Sequence, residues 1–370
     1  LPDNTEPGMH ISEVLNPMFS SLELDILPNR PDALSHFGIA REIAIKTGQR
    51  LQKLEIPSNL NPKTKSETVQ VHIDDPNGCP RYIAGVVKNV KVGPSPEWMG
   101  DSLKCAGMRP INNLVDISNY VLLEMGHPTH IFDFEKFPEK TVCVRKAKKG
   151  EKFITLDEEK HTLSAEHLLI TNGRTPVALA GIMGGLDSAV ADTTSTVLIE
   201  SAYFDPVTIR KGSKNLGMLT ESSRRFERGA DPEGAVTAFW RIVTLLKELA
   251  GGELASEMVD SYPKKIKPPS IILRKSKLEN IGGFSIPVKF IEKTLTALEI
   301  DWKKSSKEEW KCVPPSFRPD LERENDLIEE MIRIYGYDLV PSSQSFTSLF
   351  TYDTHDPLES TGKIHNCLTG

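Results

Sequence analysis

Apolar and polar residues alternate or recur at helical spacing in the first part of the chain. The alternating residues before Pro28 predict a short strand, followed by a turn from Pro28 to Pro31. Asp32 is a suitable N-cap and Gly48 a suitable stop, so a helix is predicted between them. Its predicted buried face consists of Leu34, Phe37, Ile39 and Ile43.

The middle of the chain alternates short β-like runs with helical stretches. The runs include RYIAGVVKNVKV, TVCVRKA, HLLITNG, PVALAGIMGG and TVLIESAYF. A long apolar stripe in DPEGAVTAFWRIVTLLKELAGG predicts a helix that ends at Gly251 and Gly252. This mixture is typical of an α+β domain.

The region from Ile271 to Val340 has a different order of elements. It predicts a strand, two helices separated by a turn, short strands and then an acidic helix. That order suits a helix-turn-helix or winged-helix-like module. Polar, proline-bearing segments at 57–68 and 262–270 are predicted linkers, so the chain as a whole is expected to be multidomain.

Composition narrows the function classes. The net charge is -6 at pH 7, so nucleic acid could bind only at local basic patches such as that of Arg224, Arg225 and Arg228. Five scattered cysteines without a CxxC pair argue against a disulfide framework or a zinc ribbon. No apolar run reaches the roughly 18 residues of a membrane span. We therefore expect a cytoplasmic protein without a membrane association. The opening LPDNTEPG lacks an initiator Met, and we expect part of a longer protein.

The acidic stretch FRPDLERENDLIEEMIRIYGYD is one candidate for chemistry. Asp326, Glu329 and Glu330 are spaced at i, i+3 and i+4 and share a helix face, where they would repel one another. A solvated face next to Arg323 and Arg333 is one interpretation. A hard cation such as Mg²⁺ is the other, because it prefers clustered oxygen ligands.

A second candidate is the polar segment RPINNLVDISNYVLLEMGHPTHIFDF. Polar side chains interleave there with apolar ones, and polar groups in a partly buried segment need partners. They serve either as caps and internal networks or as the lining of a pocket. The pair His127 and His130 lacks a third nearby ligand and is weak evidence for zinc. GIMGG, at 181–185, has neither P-loop nor dinucleotide spacing and is more typical of close backbone approach.

Four long motifs resemble a known family. They are LPNRPDALSHFGIAREIA, NLVDISNYVLLEMGHPTHIFDF, TVLIESAYFDPVTIRKGSKNLGMLTESSRRFERGADPEGA and PSFRPDLERENDLIEEMIRIYGYD. Together, and in this order, they are similar to the bacterial phenylalanyl-tRNA synthetase β subunit. The resemblance implies a central mixed α/β editing domain, which removes tyrosine wrongly attached to the tRNA, flanked by small helix-turn-helix or winged-helix-like modules.

The resemblance also implies site residues. The family's editing positions correspond to Arg109, Asn119, His130, Gly184, Glu200, Thr220 and Ser222. Glu200 is expected to accept the tyrosine hydroxyl, and His130 with Asn119 to hold the amino-acid end. No general base is evident, so we expect an oriented water helped by the terminal hydroxyl of the tRNA. Ser222 and His127 stand where many family members have Ala and Gln, which leaves pocket size and any role of His127 open.

Cofactors and partners follow from the same resemblance. The metal positions of the family correspond to Asp320, Asp326, Glu329 and Glu330 and imply a Mg²⁺ shared with the α subunit. Glu322 and Glu324 are expected to be plain surface charges. The family enzyme is an (αβ)₂ heterotetramer, a phenylalanine–tRNA ligase that uses ATP at its α subunit and binds tRNA(Phe). Tyrosine or phenylalanine would be the editing ligand, and this chain alone would be at most a deacylase.

The predicted domains are a structural module at 1–67 around a missing OB-fold insertion, the editing domain at 68–262, the winged-helix-like module at 268–345, and the start of a catalytic-like domain at 346–370. A hypothesis of another class is a non-catalytic nucleic-acid-binding module or an assembly scaffold. The winged-helix-like segment and the basic motif RRFER support this hypothesis, whereas the negative net charge of the chain argues against nucleic-acid binding.

Overall fold

The computed structural model describes residues 7–8, 21–52, 54, 56–57, 62, 65–341 and 357–370. The α-helices, numbered α1 to α10, are His36–Thr47, Glu97–Cys105, Asn113–Met125, Pro206–Leu216, Glu221–Phe226, Gly234–Ala250, Lys275–Gly282, Val288–Ala297, Glu324–Tyr335 and Pro357–Thr369. The strands, numbered β1 to β15, are Gln70–Ile73, Arg81–Lys88, Thr129–Asp133, Thr141–Lys146, Lys152–Ile154, Lys160–Thr162, Leu168–Thr171, Pro176–Leu179, Met183–Gly184, Thr196–Tyr203, Glu253–Leu254, Val259–Ser261, Ile271–Arg274, Asp301–Ser306 and Glu309–Val313.

Two five-stranded sheets form the centre of the molecule. The first has the strand order β1-β4-β7-β8-β9, and the second has β11-β2-β10-β3 with β12 also paired to β2. Apolar side chains from both sheets form one continuous core, so the sheets pack face to face. Representative members of this core are Tyr82, Phe132, Val144, Leu179 and Leu198. The predicted α+β, multidomain class is confirmed.

Helices cover the other face of the second sheet. Successive residues of a strand point to opposite faces, so Ile83, Ile131 and Ile199 form a second core with α2, α3 and α6. The long helix α6 ends as predicted, with Gly251 in the left-handed conformation at φ 70°. The second sheet is therefore buried on both faces.

The C-terminal module, residues 271–335, has a core of its own. Its three-stranded sheet has the order β13-β15-β14 and packs against α7, α8 and α9 around the fully buried Trp310. The element order is the one predicted from the sequence. Ile45 of α1 also packs against this core, which places the N-terminal helix beside the module.

The N-terminal helix differs from its prediction. It begins at His36, and its N-cap is Ser35, whose hydroxyl accepts a hydrogen bond from the Gly38 N–H. Asp32 is not the cap because its carboxylate is paired with Arg30, inside a short 3₁₀ turn. The predicted buried face was also partly wrong, because 56% of Ile43 is exposed.

Other predictions near the termini have mixed outcomes. Residues 21–27 do not form the predicted short strand. The linker at 262–270 connects β12 to β13 without regular structure, as predicted. Much of the linker at 57–68, and large parts of the modules predicted at 1–67 and 346–370, lie outside the described residues. Over the described ranges, no helix combines the length and apolar character needed to cross a membrane.

Candidate active site

Glu200 is a buried carboxyl group in the middle of β10. It pairs across the sheet with Ala84 of β2 on one side and with His130 of β3 on the other. Directly opposed residues of antiparallel strands point to the same face, so Glu200 and His130 both face the core between the sheets. Only 6% of Glu200 is exposed, and no described group hydrogen-bonds to its Oε2 atom. A buried carboxyl oxygen without a partner is costly, which marks it as a candidate for ligand binding.

The His130 ring packs closely against Phe132 and Gly184. The centroids of the His130 and Phe132 rings are 4.4 Å apart, with an interplanar angle of 62°. A β-carbon on Gly184 would lie 2.8 Å from Cε1 and 2.9 Å from Nε2 of the imidazole. Any side chain at position 184 would therefore compete with the ring for the same space.

Thr220 and Ser222 hold the loop that carries Gly184. The Thr220 hydroxyl donates to the carbonyl oxygen of Ile182 at 2.8 Å, and the Ser222 hydroxyl donates to that of Gly181 at 3.1 Å. Both hydroxyl protons are thus committed to the GIMGG loop. In this structure the two side chains position backbone next to the histidine.

Five of the seven predicted site residues form one connected group. These five are His130, Gly184, Glu200, Thr220 and Ser222. Arg109 and Asn119 are not brought into it: neither side chain forms a hydrogen bond or ion pair with the described residues. Asn119 lies on α3, which packs on the face of the sheet opposite to Glu200, and Arg109 is exposed in the loop before that helix.

Burial dominates the electrostatics of the site. It raises the pKa of Glu200 to about 8, and the nearby Tyr82 hydroxyl offsets part of that rise. No described cation is paired with the carboxyl group. The pKa of His130 is lowered to about 4, because its ring lies in dense surroundings although part of the residue reaches the surface.

These shifts define what the two groups can do. At neutral pH the Glu200 carboxyl is mostly protonated and the His130 imidazole is neutral. A neutral imidazole with a pKa near 4 can donate or accept a hydrogen bond but is a weak proton acceptor. The His130 imidazole is therefore suited to positioning a polar ligand rather than to taking up a proton, and Glu200 offers a buried carboxyl group that can form a hydrogen bond with such a ligand.

His127 lies apart from this group and lines a cavity. The cavity, about 120 Å³, is lined by residues of the N-terminal segment, the C-terminal end of α3, the start of α6 with the loop before it, and the C-terminal module, among them Arg41, His127, Asp231 and Phe317. His127 is 2% exposed, and neither of its ring nitrogens has a hydrogen-bond partner among the described groups. Burial lowers its pKa to about 4, so the ring is neutral.

The predicted metal ligands are occupied by arginines and backbone N–H groups. Arg318 donates to both oxygens of Asp320, at 2.9 and 2.8 Å, and also to Glu330 at 2.9 Å. Arg333 donates to both Glu330 oxygens, at 2.9 and 2.8 Å. Glu330 is buried, which tends to raise its pKa, yet the two guanidinium groups lower that pKa to about 2.

The other two predicted ligands do not complete a cage. Asp326 accepts hydrogen bonds from the N–H groups of Glu322 and Arg323, at 2.9 and 2.6 Å, and Glu329 is exposed. The described part of the chain contains no cluster of three or more acidic, His or Cys side chains suited to a metal ion. In this arrangement the four carboxylates do not form a Mg²⁺ site among the described residues of this chain.

The arginine contacts continue into the N-terminal helix. Glu42 of α1 accepts from Arg333 at 2.6 Å and from Arg30 at 2.6 Å, so ion pairs connect α1 to α9. Glu324 was wrongly expected to be a plain surface charge: it pairs with Arg274 and Lys277. The acidic stretch is therefore largely neutralised within the chain.

The RRFER arginines are also used internally. Arg225 is buried and donates to the Leu34 carbonyl and to Glu221. Arg228 donates to the Ile26 carbonyl. Arg224 alone of the three is exposed, so this patch offers little free charge to nucleic acid.

Tyr82 is a buried neighbour of Glu200 that was not among the predicted site residues. Its ring is fully buried on β2, opposite Ala202 of β10, and its hydroxyl has no hydrogen-bond partner among the described groups. The alternation in RYIAGVVK indicates only that it is buried. Its closeness to Glu200 depends on the register between two strands that are far apart in the sequence.

Comparison with known domain families gives two matches. The model of the B3/4 domain matches residues 78–251, which contain all seven predicted editing positions. The model of the tRNA synthetase B5 domain matches residues 271–337, which contain the arginine-paired carboxylates of Asp320 and Glu330.

Known relatives extend these matches to most of the chain. The phenylalanine–tRNA ligase beta subunit of Syntrophus aciditrophicus is 42% identical over 346 residues, covering 93% of this chain and 43% of that protein. The phenylalanine–tRNA ligase beta subunit of Thermotoga maritima is 43% identical over 343 residues, which cover 92% of this chain and 43% of that protein. An N-terminal fragment of the Pyrococcus horikoshii phenylalanyl-tRNA synthetase beta subunit is 19% identical, with a TM-score of 0.41 over 84% of this chain and 85% of that one, a likeness too low to support an argument.

The chain spans less than half the length of these two bacterial relatives. Within that span, the two domain matches and the identity of more than 40% indicate the same family. The chain belongs to the family of phenylalanine–tRNA ligase β subunits, of which it carries the B3/4 and B5 domains.

Proposed function

We propose that this chain is the editing part of a phenylalanine–tRNA ligase β subunit and that its Glu200 region hydrolyses tyrosine attached to tRNA(Phe). The observation that carries the proposal is the buried Glu200 carboxyl group beside His130, whose Oε2 atom forms no hydrogen bond with the described residues. It lies within the segment that matches the B3/4 domain. The proposed editing domain is residues 68–262.

Editing is needed because a pocket built for phenylalanine cannot strongly reject tyrosine. Such a pocket discriminates against one added hydroxyl by only about a hundredfold. A second site that offers the hydroxyl a hydrogen bond can be far more selective, because phenylalanine leaves the buried polar group unpaired. Glu200 supplies that kind of group.

The remaining residues position the ester. The neutral His130 imidazole hydrogen-bonds the amino-acid end. Asn119 and Arg109 are proposed to assist only after α3 and the loop before it move toward the substrate, because in this structure neither residue lies beside His130. Gly184 keeps the space around the imidazole free. Thr220 and Ser222 hold that backbone in place through their hydrogen bonds to the GIMGG loop.

The reaction itself is ester hydrolysis by water. Water attacks the carbonyl carbon, the bond to the ribose oxygen breaks, and a proton from the water ends on that oxygen. The products are tyrosine and free tRNA. With a pKa near 4, His130 orients the reactants rather than acting as the base.

Assembly supplies the rest of the ligase activity. We propose an (αβ)₂ heterotetramer in the cytoplasm, in which the α subunit performs the ATP-dependent attachment of phenylalanine to tRNA(Phe). A Mg²⁺ shared with the α subunit is proposed at Asp320, Asp326, Glu329 and Glu330 only in that assembly. There, Asp320 and Glu330 would first have to leave their arginine partners.

The test is hydrolysis of purified Tyr-tRNA(Phe) by the full-length β subunit assembled with its α subunit. Release of tyrosine well above the uncatalysed rate, with slower loss of phenylalanine from Phe-tRNA(Phe), is the expected result. Tight tRNA binding without any hydrolysis would instead support the nucleic-acid-binding or scaffold hypothesis.

A further inference from the structure

The Tyr82 hydroxyl and the Glu200 carboxyl group are two unsatisfied groups in the same apolar space. Tyr82 is fully buried, Glu200 is 6% exposed, and neither the Tyr82 hydroxyl nor Glu200 Oε2 has a hydrogen-bond partner among the described residues. Buried polar atoms without partners are rare in folded proteins and call for an explanation. Because these two atoms lie side by side, a single ligand could account for both.

Strand register places the two groups on the same face. Tyr82 is opposite Ala202, and Glu200 is opposite Ala84, in the antiparallel pairing of β2 with β10. The two residues are therefore diagonal neighbours, a relationship that an aromatic side chain can span. The pKa of Tyr82 is raised, first by burial and then by the charge of Glu200, in keeping with this register. The Tyr82 hydroxyl in turn lowers the pKa of Glu200, so the two groups lie near hydrogen-bonding distance of each other, although neither meets the geometric criterion for a formed hydrogen bond.

The other polar groups nearby are already used or face elsewhere. Cys79, which also lies near Glu200, directs its thiol toward the carbonyl oxygen of Arg81 at 3.5 Å. His130 lies on the opposite side of β10 from Tyr82, because β10 is between β2 and β3. The two unsatisfied groups are thus left to a ligand.

We propose that Tyr82 is a second specificity residue of the editing site, and that its hydroxyl and the Glu200 carboxyl group together bind the phenolic oxygen of a tyrosyl substrate. This rests on the proposed function. A phenol has one O–H donor and two acceptor lone pairs. It donates its proton to Glu200 Oε2 and accepts the Tyr82 proton on its oxygen. Phenylalanine satisfies neither group.

The experiment compares Tyr82→Phe with wild type in the assembled enzyme, using Tyr-tRNA(Phe) and Phe-tRNA(Phe). The preference for Tyr-tRNA is expected to fall roughly three- to tenfold, the effect of one hydrogen bond, while the Phe-tRNA rate stays within about twofold. Tyr203→Phe, which removes a hydroxyl from another buried tyrosine of the same sheet, should leave the preference unchanged. Unfolding curves of all proteins check that the variants are folded.

A double variant adds a second criterion. If the two groups act on one hydroxyl, Tyr82→Phe combined with Glu200→Ala should lose little more preference than Glu200→Ala alone. An unchanged preference in Tyr82→Phe, or an equal slowing of both substrates, would overturn the role of Tyr82 while leaving editing intact. If the wild-type enzyme failed to hydrolyse Tyr-tRNA at all, the proposed function itself would fail, and this inference with it.

Discussion

The imidazole of His130 lies where a side chain on residue 184 would be, with its Cε1 atom 2.8 Å from the position of a β-carbon on Gly184. The ring is also packed against Phe132, at 4.4 Å between centroids. It cannot move aside freely. The geometry of the histidine therefore depends on a glycine in a loop that the sequence alone marks only as glycine-rich.

Gly184→Ala should displace the His130 ring and slow deacylation of Tyr-tRNA and Phe-tRNA alike. A misplacement of about 1 Å in a positioning group can cost roughly a hundredfold in rate, so we expect a loss of tenfold to a hundredfold. Single-turnover deacylation by the assembled enzyme measures it. Gly93→Ala is the matched control, because a β-carbon there meets nothing within 4 Å. Wild-type rates in Gly184→Ala would show that the ring position is unimportant.

Glu200→Gln should change how stability depends on pH. The pKa of Glu200 is about 8 in the folded protein against 4.5 for a free side chain, so between these values the folded state keeps a proton that the unfolded state has lost. Wild type should therefore lose stability relative to the variant as pH rises from about 5 to 8, by at most about 1.4 kcal/mol per pH unit. Unfolding curves at several pH values measure the difference. A difference that is flat across this range would mean that Glu200 is ionised normally.

Glu330→Gln should destabilise the C-terminal module. It leaves the buried Arg318, whose side chain is 2% exposed, with a weakened counter-charge, and breaking a buried pair in this way costs about 3–5 kcal/mol. Chemical denaturation followed by tryptophan fluorescence measures the change, since Trp310 lies in that core. The neighbouring Glu329→Gln, at an exposed position, should stay within about 0.5 kcal/mol of wild type. Equal effects of the two substitutions would contradict the arginine network.

Mg²⁺ should bind only weakly to the chain in the absence of its α subunit. Asp320 and Glu330 would have to give up guanidinium partners before they could coordinate the ion. Titration calorimetry of this chain should show no tight, stoichiometric heat of binding, and Glu330→Gln serves as the control for site-specific heat. Tight one-to-one binding that this variant abolishes would mean that the site is complete without the partner.

The elements of the fold were largely predictable from local patterns. The strand RYIAGVVK, the long helix ending at Gly251 and the order of elements after Ile271 all follow from spacing and from glycine and proline positions. The N-cap of α1 was not predictable in this way. The Asp32 carboxylate pairs with Arg30, and Ser35 caps the helix instead. Ion-pair choices of that kind depend on side chains brought together by the fold.

The candidate site was only partly predictable for the same reason. Resemblance identified Glu200 and His130, and the sheet register makes them direct neighbours. Tyr82 could not be found, because its place beside Glu200 comes from pairing between distant strands. The ion pairs of the acidic stretch could not be predicted either, because Arg333 contacts Glu42 only when α1 packs beside α9.

Selective removal of tyrosine through Glu200, with positioning by His130, is the central claim. The most direct measurement is the ratio of deacylation rates of Tyr-tRNA(Phe) and Phe-tRNA(Phe) in the assembled enzyme, for wild type, Glu200→Ala and His130→Ala. Glu200→Ala should reduce the Tyr-over-Phe preference by roughly tenfold or more, and by a larger factor than total activity. His130→Ala should slow both substrates with little change in preference. A Glu200→Ala enzyme that kept the full preference, or a His130→Ala enzyme with wild-type rates, would contradict the claim.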